Sequence, residues 1–565
     1  EAGLKFSQAL NFQTENLDIQ FFNSFFPSDS IFKQNMINVF SFQVENDTTG
    51  AAYFFLAFFH QSGNQAYDNI REYIKYAPTD IRGHLFYSNL YFDEDQWIAA
   101  LFQYQQTLWL DSLNIDARMG SALSLLAMDE YEGAMNEFNK VLKIVPYQHE
   151  AFYYLGLSQM AVENYYSAIQ SFTQSLLLDP NNSDIYYHLG KAYFESGKII
   201  QAREAFTRTI SLEPQHGYAF YYQGIINENI MEIDYAIQSY SRAMEFAPGI
   251  EDAYYRKGML LFRTGELKEA MEPLRQFIIF QPDSIHVLES LGEIFMAESR
   301  YSEAIDTYQR LQSIYPEKLE LNLNLAESYW QLDKFEDARY IYEKILLFDD
   351  ENYNAMLRLG EIYNALGYYE KAETIYNEVV KCTIPTMEAF YQLALTFGNR
   401  GKYMSSVLAF HEALKLAPND FQIKYQLGVA YKELGVYDKS AYYFEEYIFQ
   451  QDKDAIAFFL LGTCYFEMDD YPAAILALQR SNILTSNDHR TLYNIGQCYS
   501  GLEEESEAAR KFREALKINP EDPDIYYALG KSYYKLNKKK KAKEILDILY
   551  MLDRKLYDQL NVLIN

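Results

Sequence analysis

The sequence predicts an all-α chain of about fifteen 34-residue helix-turn-helix units, stacked one on the next. Three observations carry that prediction. A pattern of large and small residues returns every 34 positions, with unit starts at 47, 81, 115 and onward to 523, and no insertion disturbs it. Position 20 of the unit is Ala in 13 of 15 units, from Ala66 to Ala542, with Ser406 and Ser440 in the others. Position 8 is Gly in ten, from Gly156 to Gly530, and Ala122, Ala326 and Ala394 in three more.

Each element follows from its residue types. Small residues at positions 8 and 20 let two helices approach where a larger side chain would overpack the contact. Large residues at positions 4, 7, 11 and 24, as in Tyr186, Leu189, Tyr193 and Phe206, lie on one face at helical spacing. Proline at position 32, present in nine units and exemplified by Pro146 and Pro214, ends the second helix. One such unit cannot bury its own apolar face, whereas stacked neighbours can. That also accommodates 565 residues without a single large core.

With these residues in hand, the chain resembles the tetratricopeptide repeat (TPR) family. The resemblance implies a right-handed α-α superhelix, a solenoid whose concave surface is lined by positions 2, 5, 9 and 12 of each first helix. It also implies binding of proteins rather than catalysis. The carboxylate clamp known in that family needs a Gly-Asn step at positions 8 and 9, which no unit has. The asparagine ladder needs Asn at position 6, which occurs only at 324 and 494.

Residues 1–46 precede the register and predict a helical cap or docking segment. Leu4 to Phe12 and Leu17 to Phe26 suggest two short helices, and Ser28-Asp29-Ser30 opens a third running from Ile31 to about Val44. Phe21, Phe22, Phe25 and Phe26 make docking the alternative to capping. Residues 47–556 hold the fifteen units, and 557–565 finish a terminal helix. The first residue is Glu1, which leaves a removed secretion signal or a cut upstream sequence as explanations. The reading leans to an extracytoplasmic site in a bacterium, periplasmic or at the outer membrane, with the cytoplasm as alternative.

Candidate partner-binding residues fall in three groups. Under the family's concave positions, repeats 4–7 carry an aromatic and apolar strip: Tyr153, Leu157, Tyr187, Phe194, Tyr221, Ile225, Tyr255 and Met259. Such a strip suits an extended peptide or an amphipathic helix. In repeats 8–10 the same positions turn acidic, with Glu289, Glu293, Glu320, Glu327 and Glu361. These carboxylates repel one another unless a cation or a basic segment shares them. Repeat 15 departs in charge, with Lys538, Lys539, Lys540 and Lys541 expected in its inter-helix turn. That end could meet an acidic partner, an anionic lipid surface or the acidic middle of a second copy, a heterologous contact that polymerises.

The net charge of −30 argues against nucleic acid, whose phosphates it would repel. No apolar run approaches the ~18–20 residues of a membrane span, so membrane association would come through a partner. Cys464 and Cys498 share position 10 in adjacent units and read as small buried residues, and Cys382 stands alone. The eight His do not pair with Cys or Asp at metal-ligand spacing, and no phosphate loop, nucleophile elbow or His-Glu-x-x-His occurs. No catalytic residue, metal or cofactor is predicted. The expected function is a non-enzymatic scaffold or assembly subunit of a multiprotein complex, in a cell envelope by this reading. The alternatives are an adaptor binding a peptide in repeats 4–7 and the regulatory region of an enzyme whose catalytic domain lies elsewhere.

Overall fold

A computed structural model describes residues 30–43, 50–60, 63–316, 318–381 and 386–564. Among these residues the chain forms 32 helices and no strand. From the second repeat on, every first helix begins on the register residue: Ile81, Ile115, His149, Ser183 and so on to Pro523. The residue before it at position 34 caps it in ten of these repeats. Asp80, Asn114, Asn182 and Asp522 are examples whose side chains accept the backbone N–H groups of the first turn.

In seven repeats the two helices meet through a ring on a glycine, and at Gly258 and Gly462 a leucine takes the ring's place. The position-24 side chain, sixteen residues after position 8, lies across it. A Cβ added at Gly190 would stand 2.7 Å from Phe206, and one at Gly224 would stand 2.5 Å from Tyr240. Phe138, Phe172, Phe206, Tyr240, Phe444 and Phe512 are consequently among the most buried side chains in the molecule. Position 20 completes the contact: Ala66 through Ala338 are sealed from solvent. Where serine replaces it, Ser406 and Ser440 donate at 2.7 Å to the position-8 carbonyls of Ala394 and Gly428. Three repeats hold Ala at position 8 against the same kind of ring, so one methyl is accommodated. Gly190→Val, with two more carbons against Phe206, should cost about 1–3 kcal/mol, read as a lower melting temperature than Gly190→Ala gives.

The chain then reverses through position 15, which takes a left-handed backbone in every repeat from the second onward, from Asp95 (φ 59°) to Asn537 (φ 59°). Glycine occupies it in only five of the fourteen, Gly197 and Gly265 among them. Elsewhere a side chain accepts the conformation because the helix contact on either side dictates the turn.

The fold comprises two compact units, Glu1–Pro282 and Asp283–Asn565, although the 34-residue register passes the division unchanged. In the first, the helix Ser30–Gln43 lies on repeat 1, with Phe40 buried against Phe55 and Phe59 at ring separations of 5.0 and 5.9 Å. The expected helices before Ser30, including Phe21, Phe22, Phe25 and Phe26, lie outside the described residues, as does Cys382. In the second, the terminal helix differs from expectation. The second helix of repeat 15 stops at Leu552, and a separate helix, Arg554–Ile564, begins three residues before the anticipated boundary. Extended Asp553 breaks the two apart and caps the latter, accepting from the backbone N–H groups of Lys555 and Leu556 at 2.8 and 3.0 Å. Leu560 and Ile564 then cover the last repeat at Gly530.

Candidate functional site

In the first compact unit, the residues of the aromatic strip are half-buried rather than presented. Each position-5 ring leans on a neighbouring helix. Tyr153 packs by His188 at 5.7 Å, Tyr187 by His216 at 4.6 Å, and Tyr255 by Phe277 of its own repeat at 5.2 Å. The Tyr221 hydroxyl donates to Asp252 at 2.6 Å. Arg256 pairs with Asp252 at 2.5 Å and with Glu228 at 3.3 Å, and the buried Tyr240 donates to Glu228 at 2.6 Å. Burial raises the Tyr153 phenol to about 12 and pushes Tyr187 and Tyr221 up as well. Leu157, Phe194 and Met259 are half-buried beside them. Ile225 departs from expectation: it is 8% exposed and sits in the core with Ala236 and Tyr240, leaving no surface for a partner.

In the second unit, the acidic residues are divided by countercharges from the chain itself. Lys318 pairs with Glu289. Arg358, at position 6 of repeat 10, reaches Glu327 on the preceding repeat at 3.3 Å and Glu361 on its own helix at 2.9 Å. Its guanidinium lies 4.3 Å from the Trp330 ring centre. Glu293 and Glu320 are both exposed. Although its side chain reaches solvent, desolvation by the neighbouring helices, then the charges of Glu320 and Glu289, holds the Glu293 carboxyl above its ordinary value. Glu361 is raised too, mainly by burial and against the pull of Arg358.

Arg358 and Trp330 border an open cleft of about 440 Å³ along the first-helix face of repeats 9–11, together with Gln331, Phe335, Glu361 and Gln392. The sequence pattern places Glu361 here but singles out neither Trp330 nor Arg358. Trp330 stands at position 12, one of the surface positions. Position 6, which brings Arg358 across to the preceding repeat, is not among them.

The lysine run lies elsewhere than in the turn. Lys538 precedes the second helix of repeat 15, and Lys539, Lys540 and Lys541 form its first turn, because the reversal is completed at Asn537. All four are exposed, at the helix end where a cation opposes the macrodipole. Lys535 pairs instead with the buried Glu505 at 2.6 Å, which helps hold that carboxyl below its usual range.

Cys464 and Cys498 are free and buried, and burial pushes both thiols up, Cys498 to about 12. Among the described residues, Asp184, Glu213 and His216 bring potential ligand atoms within 4.8 Å of one another, a grouping the linear spacing concealed. The Nδ1 of His216 accepts the Ala219 N–H at 3.1 Å, so the neutral ring keeps its proton on Nε2. The trio therefore lacks a free imidazole lone pair and acts as a helix cap flanked by carboxylates. Among the described residues, no helix is long and apolar enough to cross a membrane.

Family models described as tetratricopeptide repeat match residues 159–220, 252–284, 295–351, 353–381, 391–455, 456–481 and 523–555, and one described as TPR repeat matches 504–537. No curated protein matches the chain. Among solved structures, it is similar to YrrB, described as a TPR protein with an unusual peptide-binding site. The identity is 22%, over 33% of this chain and 97% of that one, with a TM-score of 0.31. A tetratricopeptide repeat protein from Parabacteroides merdae is 20% identical over 44% of this chain and 98% of its own, with a TM-score of 0.33. The Naa15/Naa10 structure bound to HypK is 12% identical over 94% and 96%, with a TM-score of 0.30.

Proposed function

The chain belongs to the tetratricopeptide repeat proteins, and on that premise we propose that it is a non-catalytic scaffold that holds a basic segment of a partner protein on repeats 8–11. The observation that carries this reading is the Glu327–Arg358–Glu361 bridge stacked on Trp330. There the chain's own arginine occupies a bed of two carboxylates and an aromatic face, the arrangement a partner's arginine or lysine requires. On repeats 8 and 9, Glu293 and Glu320 are exposed carboxylates, and Lys318, the chain's own cation near them, makes its ion pair with Glu289 instead. Preplaced side chains on packed helices lose little freedom on binding, which favours association.

The aromatic strip of repeats 4–7 contributes less in this reading, because Tyr153, Tyr187 and Tyr221 join one repeat to the next and Tyr255 packs within its own. Assembly into a larger complex, in a cell envelope or elsewhere, is the setting this scaffold role implies.

The test is fluorescence polarisation with a lysine- and arginine-rich peptide and a glutamate-substituted control. Glu293→Gln/Glu320→Gln should weaken the basic peptide about tenfold and flatten its salt dependence, with an unchanged helical spectrum. Tyr187→Ala/Tyr221→Ala should change affinity far less. Equal binding of both peptides, or indifference to the glutamine pair, would sink the proposal.

A further inference from the structure

The second helix of repeat 2, Trp97–Leu110, carries no charged side chain. Among the described residues only the second helix of repeat 4, Tyr165–Leu178, is likewise uncharged. The outward residues of the repeat 2 helix stand at positions 18, 22, 25 and 29: Ile98, Phe102, Gln105 and Trp109. Steps of four, three and four residues draw one stripe along the helix, the seam of a helix that pairs with another. Ile98 is 78% exposed, Phe102 56% and Trp109 82%, so no described part of the chain covers them. In repeat 4 the polar Gln170 and Thr173 interrupt the same stripe. On either side in the stack these positions are polar and exposed, with Asp68, Arg71 and Lys75 in repeat 1 and Glu132 and Lys143 in repeat 3. An apolar patch inside a polar rim marks a contact surface.

The stripe is complementary to itself. On an antiparallel copy Ile98 falls opposite Trp109, and Phe102 opposite Gln105, because the spacing is symmetric about its midpoint. Each layer then sets a larger side chain against a smaller one, as close packing requires. Across a two-fold axis each flank meets its own copy. Repeat 1 faces repeat 1, with Asp68 opposite Arg71, and repeat 3 faces repeat 3, with Glu132 opposite Lys143. Arg71 already lies 3.8 Å from Asp68 of its own helix, in an exposed pair that the second copy would extend into a network. A parallel copy gives the reverse, with Trp109 against Trp109 and Lys75 against Lys143. The net charge of −30 opposes association mainly from beyond a Debye length, where salt screens it.

Ile98, Phe102 and Trp109 together offer roughly 500 Å² per copy. Pairing them buries about 1,000 Å² in all, the size at which a specific interface begins and one suited to a reversible dimer. We propose that the chain dimerises through the second helix of repeat 2, antiparallel across a two-fold axis, with Trp109 as the anchor. The surface lies in the first compact unit and is independent of the basic-segment surface on repeats 8–11, of which the dimer presents two.

The experiment is sedimentation velocity of the full chain across the micromolar range. The mass should rise from that of one 66.2 kDa chain toward twice that value. Trp109→Glu should weaken the dimer about thirtyfold or more, at an unchanged melting temperature because the side chain is exposed. Gln105→Leu should tighten it about tenfold, since both copies then set an apolar group against Phe102. Lys143→Glu should weaken it about fivefold, and adding Glu132→Lys should restore the native value. A native chain that stays monomeric throughout, whether its helix is open or covered by residues 1–29, would overturn the assignment. So would a dimer indifferent to Trp109→Glu, and failure of the paired charge exchange to restore affinity would overturn the antiparallel arrangement.

Discussion

Phe206→Ala should destabilise repeat 5 by about 3–5 kcal/mol, the cost of removing a fully buried ring and leaving its cavity. Two features place the effect at the upper end. The ring lies on Gly190 with no side chain beneath it that could move in, since Gly190 has none. Tyr222 of the next repeat also stacks on Phe206, 5.1 Å away and 7° from parallel, so the joint between repeats 5 and 6 loses a face as well. In a repeat array each unit is held only by its neighbours, so the loss should remain local before it becomes global. Hydrogen exchange should show protection falling first in residues 183–229 while repeats in the second compact unit keep theirs. Uniform loss across the chain would mean that stability is shared over a longer range than nearest neighbours.

Acidification should weaken the joint between repeats 4 and 5, and His188 should account for it. The imidazole packs among Tyr153, Phe172 and Tyr187 at ring separations of 5.0–6.1 Å. Burial, assisted by Lys191 and His216, depresses its pKa from 6.5 to about 4. The folded joint therefore refuses a proton that the unfolded chain accepts between those two values. Stability from the neutral ring is complete above about pH 6.5 and declines as the pH falls toward about 4. The full decline amounts to about 3 kcal/mol at most, because a tenfold change in proton affinity is worth roughly 1.4 kcal/mol. Many carboxylates titrate in the same range, so the informative quantity is the difference between the native chain and His188→Phe. The variant should lose less stability between pH 7 and pH 4.5, seen as a smaller fall in melting temperature. Parallel pH profiles would remove His188 from the account.

Much of the architecture was legible because one signal was repeated fifteen times. A single Gly or Ala at position 8 says little. In phase with Ala at position 20 and a ring at position 24, it specifies a close helix contact, and the structure makes that contact by laying the ring on the glycine. Helix starts fall on the unit starts, and the structure supplies the reason: capping side chains such as Asp80, Asn182 and Asp522 recur at position 34. The candidate surfaces were less legible. Surface chemistry is assembled between repeats, and its partners lie 29 to 31 residues apart, as Lys318 to Glu289, Arg358 to Glu327 and Tyr221 to Asp252 do.

By itself, then, the sequence determined the helix pairs, their period, the residues that touch within a pair and the acidity of repeats 8–10. Those depend on residue size and spacing along one or two helices, which a linear pattern records. Only the tertiary structure decided that Ile225 is covered, that the lysine run opens a helix rather than filling a turn, and that nine non-glycine residues take the left-handed turn. It alone showed Arg358 joining two acids over Trp330. Each of these depends on how the helices and side chains of one repeat meet those beside them, which a linear pattern does not record.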